Sequence, residues 1–138
     1  KQGKKIAADK ALDHVSAWTI GNDVSEHTWQ RGDRTMWRAK NADTFKPMGP
    51  WIVTGLGYRD MTTVIRLNGE EVDRFATANM IHDVETYIAE VSKYCTLYPG
   101  DVIWMGTAGS PRTMKRGDVG ETEISGIGTL RNKVVAET

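Results

Sequence analysis

Apolar side chains recur along this chain in short bursts, and their spacing switches between helical and alternating. Over Ala8 to Ala17, Ala11, Leu12 and Val15 share one helical face, with Asp9 as a starting residue, which predicts a short amphipathic helix. Trp18-Thr19-Ile20 then reads as a strand, and Ser25 to Gln30 as a helical turn or two closed near Gly32, so Asp23 falls at the junction. Trp51 to Leu56 is β-rich. Met61 to Leu67, Asn68-Gly69 and Glu70 to Phe75 together give the strongest hairpin signal, because Asn-Gly tolerates the positive φ of a two-residue type I′ turn. Asp83 to Tyr94 sets Val84, Tyr87, Ile88 and Val91 at helical spacing. Beyond the turn Tyr98-Pro99-Gly100-Asp101 comes a short apolar strand, Val102 to Met105. After a second turn, Lys115-Arg116-Gly117-Asp118, strands are expected over Val119 to Ile124 and Thr129 to Val135.

This order lacks the strand and helix alternation of a doubly wound sheet. It predicts an α+β, β-dominated domain whose strand-end loops carry the chemistry.

Composition narrows the field. The 138 residues suit one domain, and 18 basic residues balance 18 acidic ones, leaving no surplus field for nucleic acid or an anionic membrane. No apolar run approaches the roughly 20 residues of a membrane span, so a soluble protein is expected. The lone Cys95, expected at a helix end near the core, cannot form an internal disulfide, and the start of the chain does not read as a secretory signal; a cytoplasmic setting is the simplest expectation. Tryptophans 18, 29, 37, 51 and 104 occur singly, without a basic stripe for stacking bases, and most are assigned to packing.

The densest chemistry lies in Gly21 to Gln30. Asp23, between a strand and a helical turn, can offer oxygen to a hard cation such as Mg²⁺; on residue types alone, Asp23 or Ser25 capping the next turn explains it as well. His27 is a candidate base, but no zinc spacing surrounds it or His14 and His82. Lys40 can hold a carboxylate or enolate, or be a solvated surface lysine. Gly106-Thr107-Ala108-Gly109-Ser110 can bring backbone N–H groups to an anion, although it lacks the order of a P-loop. Glu121 and Glu123 fall on one strand face, as a weak metal pair or as solvated alternation with inward Thr122 and Ile124.

Four stretches, in order, resemble the fumarylacetoacetate hydrolase family: Thr19 to Glu26 with Trp29-Gln30; Lys40 to Phe45 with Pro47 to Trp51; Leu97 to Ile103 with Gly106-Thr107; and Gly117-Asp118 with Ile124 to Leu130. The resemblance implies a mixed β-sandwich roll, with residues 1–138 as the C-terminal portion of a single catalytic domain incomplete at its N-terminus. It implies dependence on Mg²⁺ or Mn²⁺, a 2-oxo acid or acylpyruvate substrate, a homodimer, and C–C bond cleavage through a stabilised enolate. Alternatives are an isomerase/decarboxylase of the 2-hydroxyhepta-2,4-diene-1,7-dioate type, a dehydratase of a 2-keto-3-deoxy sugar acid, or a catalytically dead binding subunit. By position, Asp23 resembles one metal carboxylate, Gln30 and Lys40 the polar substrate contacts, Lys40 also a catalytic charge, and Gly106 and Thr107 the loop that takes the substrate carboxylate. The family's Glu-x-Glu metal pair and its lid are expected before Lys1, in a missing segment of the same domain, and the chain alone is expected to be inactive. His27-Thr28 stands where the family commonly has Arg-Asp.

Overall fold

The computed structural model describes residues 1–108 and 112–136. Among the described residues, six strands form two antiparallel sheets. A two-stranded sheet pairs β1 (Trp18–Gly21) with β2 (Met48–Val53), and a four-stranded sheet runs β4 (Glu70–Ala76), β3 (Thr62–Leu67), β5 (Val119–Ile124), β6 (Gly128–Lys133). Among the described residues, three α-helices, α1 (His27–Gln30), α2 (Trp37–Asn41) and α3 (Val84–Tyr94), join 3-10 turns, giving the α+β architecture expected.

Locally encoded elements form where the sequence places them. Asn68 (φ 53°) and Gly69 (φ 83°) make the tight turn between β3 and β4. Asp83 caps α3 by accepting from the Thr86 N–H at 2.8 Å, and Val84 and Ile88 enter the core. The two Gly-Asp turns share one construction. In each, the Asp N–H bonds back to the first carbonyl, the Gly holds positive φ (97° at Gly100, 98° at Gly117), and the Asp carboxylate accepts from the first residue's N–H.

Other expectations shift. The first helix is a 3-10 helix, Ala8–His14, which starts before Asp9 with no side-chain cap; its threefold period buries Ala11 and leaves Leu12 outward. The second β-strand begins at Met48 rather than Trp51, because it pairs with β1 through Gly21↔Met48 and Ile20↔Gly49. Trp51 and Ile52 are 66% and 80% exposed and Trp37 is 69% exposed, against the expectation that most tryptophans pack. Val102 to Met105 forms no strand. Ile103 and Met105 turn to the core and Trp104 turns to Gly21, so the alternation of a strand is present without a ladder partner. Cys95 caps the C-terminus of α3 and is exposed, because the last turn of the helix leaves the core after Ser92.

The core joins Ile6, Ala11, Val84 and Ile88 to Ile20, Tyr58, Met61, Ile127 and Leu130. Ile20, fully buried, anchors β1 three residues before Asp23. Emptying such a position costs about 2–5 kcal/mol, so the strand that carries Asp23 starts from a fixed point.

Candidate active site

Asp23 leaves β1 in the register that β1 and β2 set. Asn22 N–H bonds to Pro47 O at 3.1 Å and Val24 N–H to Phe45 O at 3.2 Å, so the pairing continues past the assigned strand ends. Between those two bonded positions, Asp23 and Lys46 face each other as a non-hydrogen-bonded cross-strand pair, the closer kind, with Cβ atoms about 5 Å apart. Lys46 Nζ accordingly donates to Asp23 Oδ1.

Lys40 reaches the same carboxylate from another direction. The neighbouring Ala39 is fully buried; its N–H donates to Asp33 Oδ2 at 2.9 Å and its carbonyl accepts from the Glu26 N–H at 2.9 Å. Clamped on both sides, α2 presents Lys40 Nζ to Asp23 Oδ2 at 2.5 Å and to Ser25 Oγ at 3.0 Å. The bond from Ala39, more than those from Thr35 and the neighbouring backbone, holds the Asp33 carboxyl below its ordinary value despite opposing desolvation.

Each oxygen of Asp23 thus carries one ammonium. Burial pushes the Asp23 carboxyl up, but hydrogen bonds from Lys40 and Lys46, reinforced by their charges, outweigh it and hold the pKa below the ordinary carboxylate value. The side chains are 37%, 30% and 32% exposed for Asp23, Lys40 and Lys46, so solvent screens the two pairs and each contributes only about 0–1 kcal/mol to stability. One carboxylate against two ammonium groups leaves one positive charge.

Capping does not explain Asp23. Glu26 caps α1, its Oε1 accepting from Thr28 N–H at 2.8 Å and Thr28 Oγ1 at 2.7 Å, and these bonds keep its carboxyl below the usual value. Ser25 turns its hydroxyl toward Asp23 O, at 3.4 Å, and toward Lys40.

The remaining sequence candidates make no hydrogen bond to this cluster among the described residues. Gln30 ends α1, half-buried, its side chain in no hydrogen bond among the described residues, and His27 begins that helix, exposed. Gly106 holds φ 81°, and Thr107 Oγ1 donates to Ala108 O at 3.0 Å; both residues are exposed. Gly109 and Ser110, the end of that loop, lie outside the described residues. The loop is tied to the cluster through Trp104, whose ring lies 4.9 Å beneath Lys46 Nζ and against Gly21. Glu121 and Glu123 share a face of β5 but pair with Arg131 at 3.1 Å and Arg66 at 2.6 Å, as ties across the sheet. Lys46 is the residue that sequence reading missed. Its signal is visible only once β1 and β2 are in register.

As a metal-binding unit the cluster is partial. A strand-end carboxylate with a hydroxyl beside it suits a hard cation such as Mg²⁺ or Mn²⁺. Among the described residues, however, no three His, Cys, Asp or Glu side chains gather. Asp23 fits one corner of such a site.

Comparison with known proteins adds relationships to this geometry. Residues 1–135 match the family model for the fumarylacetoacetate (FAA) hydrolase C-terminal region. An uncharacterized protein of Methanocaldococcus jannaschii is 43% identical, the match covering 99% of this chain and 58% of that protein. Human mitochondrial oxaloacetate tautomerase FAHD2A is 39% identical over 98% of this chain and 47% of its own length. The crystal structure of 5-carboxymethyl-2-hydroxymuconate delta-isomerase from Mycobacterium smegmatis superposes with a TM-score of 0.96 at 39% identity, covering 100% of this chain and 55% of that one. The chain spans about half the length of the curated relatives it matches.

Proposed function

The chain belongs to the fumarylacetoacetate hydrolase family, and from that membership we propose that it supplies the Asp23–Lys40–Lys46 part of a divalent-metal-dependent active site that acts on a 2-oxo acid through its enolate. The observation that carries the reading is the single Asp23 carboxylate held between two ammonium groups at the end of β1. It joins a donor for a hard cation to surplus positive charge for an anionic substrate.

Asp23 would hold Mg²⁺ or Mn²⁺ through a carboxylate oxygen, with further donors from outside the described residues. When bound, the cation supplies Lewis acidity at the 2-oxo and carboxylate oxygens of the substrate. Lys40, fixed beside the clamped Ala39, counters the negative charge that develops as a proton or a carbon fragment leaves the adjacent carbon. Gln30 would orient the substrate, and the backbone N–H groups and hydroxyl of Gly106 and Thr107 would take its carboxylate.

Isomerisation of a dicarboxylic 2-oxo acid is the outcome supported best. Of the relatives compared above, the tautomerase and the delta-isomerase both carry names for reactions that rearrange bonds without splitting the carbon skeleton. Hydrolytic C–C cleavage of an acylpyruvate shares the enolate and stands as the second reading, supported by the matched family model. The intact protein, incubated with Mg²⁺ and oxaloacetate or acetylpyruvate and followed by NMR, separates the two. Accelerated keto–enol exchange with the carbon skeleton intact supports isomerisation, acetate and pyruvate from acetylpyruvate support hydrolysis, and silence on a panel of 2-oxo acids with or without Mg²⁺ contradicts both.

A further inference from the structure

We propose that Lys46 is a specificity-determining residue that takes the distal carboxylate of a dicarboxylic 2-oxo acid, an inference that rests on the metal-dependent 2-oxo acid reading above. Asp23 neutralises one of its two lysines, and the other charge remains for an anion. Lys40 already has a substrate role in that reading, so a second ammonium fits a substrate with a second anionic group.

Position supports the same assignment. The register of β1 and β2 sets Lys46 directly across from Asp23, one residue before Pro47, whose ring restricts the backbone there. Each lysine also has a second holding point, Ser25 Oγ for Lys40 at 3.0 Å and the Trp104 ring for Lys46 at 4.9 Å. With an oxygen of Asp23 engaged by a cation, Lys46 would keep its place on the ring face and its N–H donors would be available to a new acceptor. At 32% exposure, the side chain is held and still reachable by a ligand. An ammonium kept only to fasten the β1–β2 junction would serve every ligand equally; one that grips a distal carboxylate discriminates between ligands.

The test uses the intact protein with saturating Mg²⁺ and chain-length-matched ligands: 2-oxobutyrate against oxaloacetate, 2-oxovalerate against 2-oxoglutarate, and 2-oxohexanoate against 2-oxoadipate. Dissociation constants are read by calorimetry, or as KM where turnover occurs. The unaltered protein is expected to favour the dicarboxylate in at least one pair by about tenfold or more, the scale of one charge-assisted hydrogen bond. Lys46→Met, which keeps an apolar stem over Trp104, is expected to abolish that preference by weakening dicarboxylate binding about tenfold more than monocarboxylate binding, and Lys46→Arg to retain it. No preference in the unaltered protein, a preference that survives Lys46→Met, or an equal loss for both ligand classes overturns the assignment. Absence of Mg²⁺-dependent binding of every ligand by the unaltered protein overturns the functional reading, and this inference with it.

Discussion

The Trp104 ring fills the space above Gly21: a Cβ built on Gly21 would stand 2.5 Å from both Cη2 and Cζ3. The glycine is needed for that approach. With any larger residue, the ring that carries Lys46 and leads into Gly106 and Thr107 has to move.

Gly21→Ala is therefore expected to destabilise the protein by about 1–3 kcal/mol, the usual cost of overpacking, and to displace Trp104 from Lys46. Chemical denaturation measures the loss. In a Trp104→Ala background the same substitution should cost almost nothing, because the colliding ring is gone. An equal cost in both backgrounds would assign the effect to the β1 backbone.

Tyr58, only 4% exposed, donates to Glu85 Oε2 at 2.7 Å while Arg59 binds Glu85 Oε1 at 2.9 Å, tying the turn before β3 to the first turn of α3. Burial, the hydrogen bond to Glu85 and the Glu85 charge push the Tyr58 hydroxyl up to about 12 from 10.0. The folded state thus keeps a proton that the unfolded chain releases. The stabilisation is complete below about pH 10 and is lost as pH rises toward 12. Tyr58→Phe should cost about 1–3 kcal/mol near neutrality and remove this component of the alkaline slope, as read by urea denaturation across pH 9–11. An unchanged slope would place the alkaline loss on other groups.

Asn68 does more than turn the β3–β4 hairpin. Its Nδ2 donates to Asp118 Oδ1 at 2.9 Å and its Oδ1 accepts from Val119 N–H at 2.9 Å, joining the hairpin to the second Gly-Asp turn. Asn68→Ala, which combines lost bonds with positive φ, should cost roughly 2–3 kcal/mol by denaturation, whereas Asn68→Gly relieves φ and should cost about 1 kcal/mol less. Equal costs would mean that backbone strain plays no part.

How much of this was legible in the sequence follows the range of the forces involved. The Asn68-Gly69 hairpin and α3 were readable because turn chemistry, capping and periodicity are local. The Asn68–Asp118 bond spans 50 residues and was not. Helix α2 has no apolar stripe to announce it; its placement comes from Ala39 bonded to Asp33 and Glu26. Val102 to Met105 carried the pattern of a strand, but a pattern cannot report whether a partner backbone is in reach. In the site, the ordered motifs singled out Asp23 and Lys40, which the fold brings into contact, while Lys46 became visible only through the Gly21↔Met48 register. Gln30 ends α1 and Thr107 follows the Trp104 that underlies Lys46, with no bond from either to the cluster among the described residues.

Divalent-cation binding by the intact protein tests the account at its centre. Titration calorimetry with Mg²⁺ and Mn²⁺, run beside Mg²⁺-dependent turnover of oxaloacetate and acetylpyruvate, should show cation binding in the unaltered protein. Asp23→Ala should lower cation affinity at least about tenfold, as for loss of one carboxylate ligand, with a parallel loss of turnover and a fold that still melts cooperatively. Undiminished cation affinity and full Mg²⁺-dependent turnover in Asp23→Ala would contradict the assignment of Asp23 to the metal.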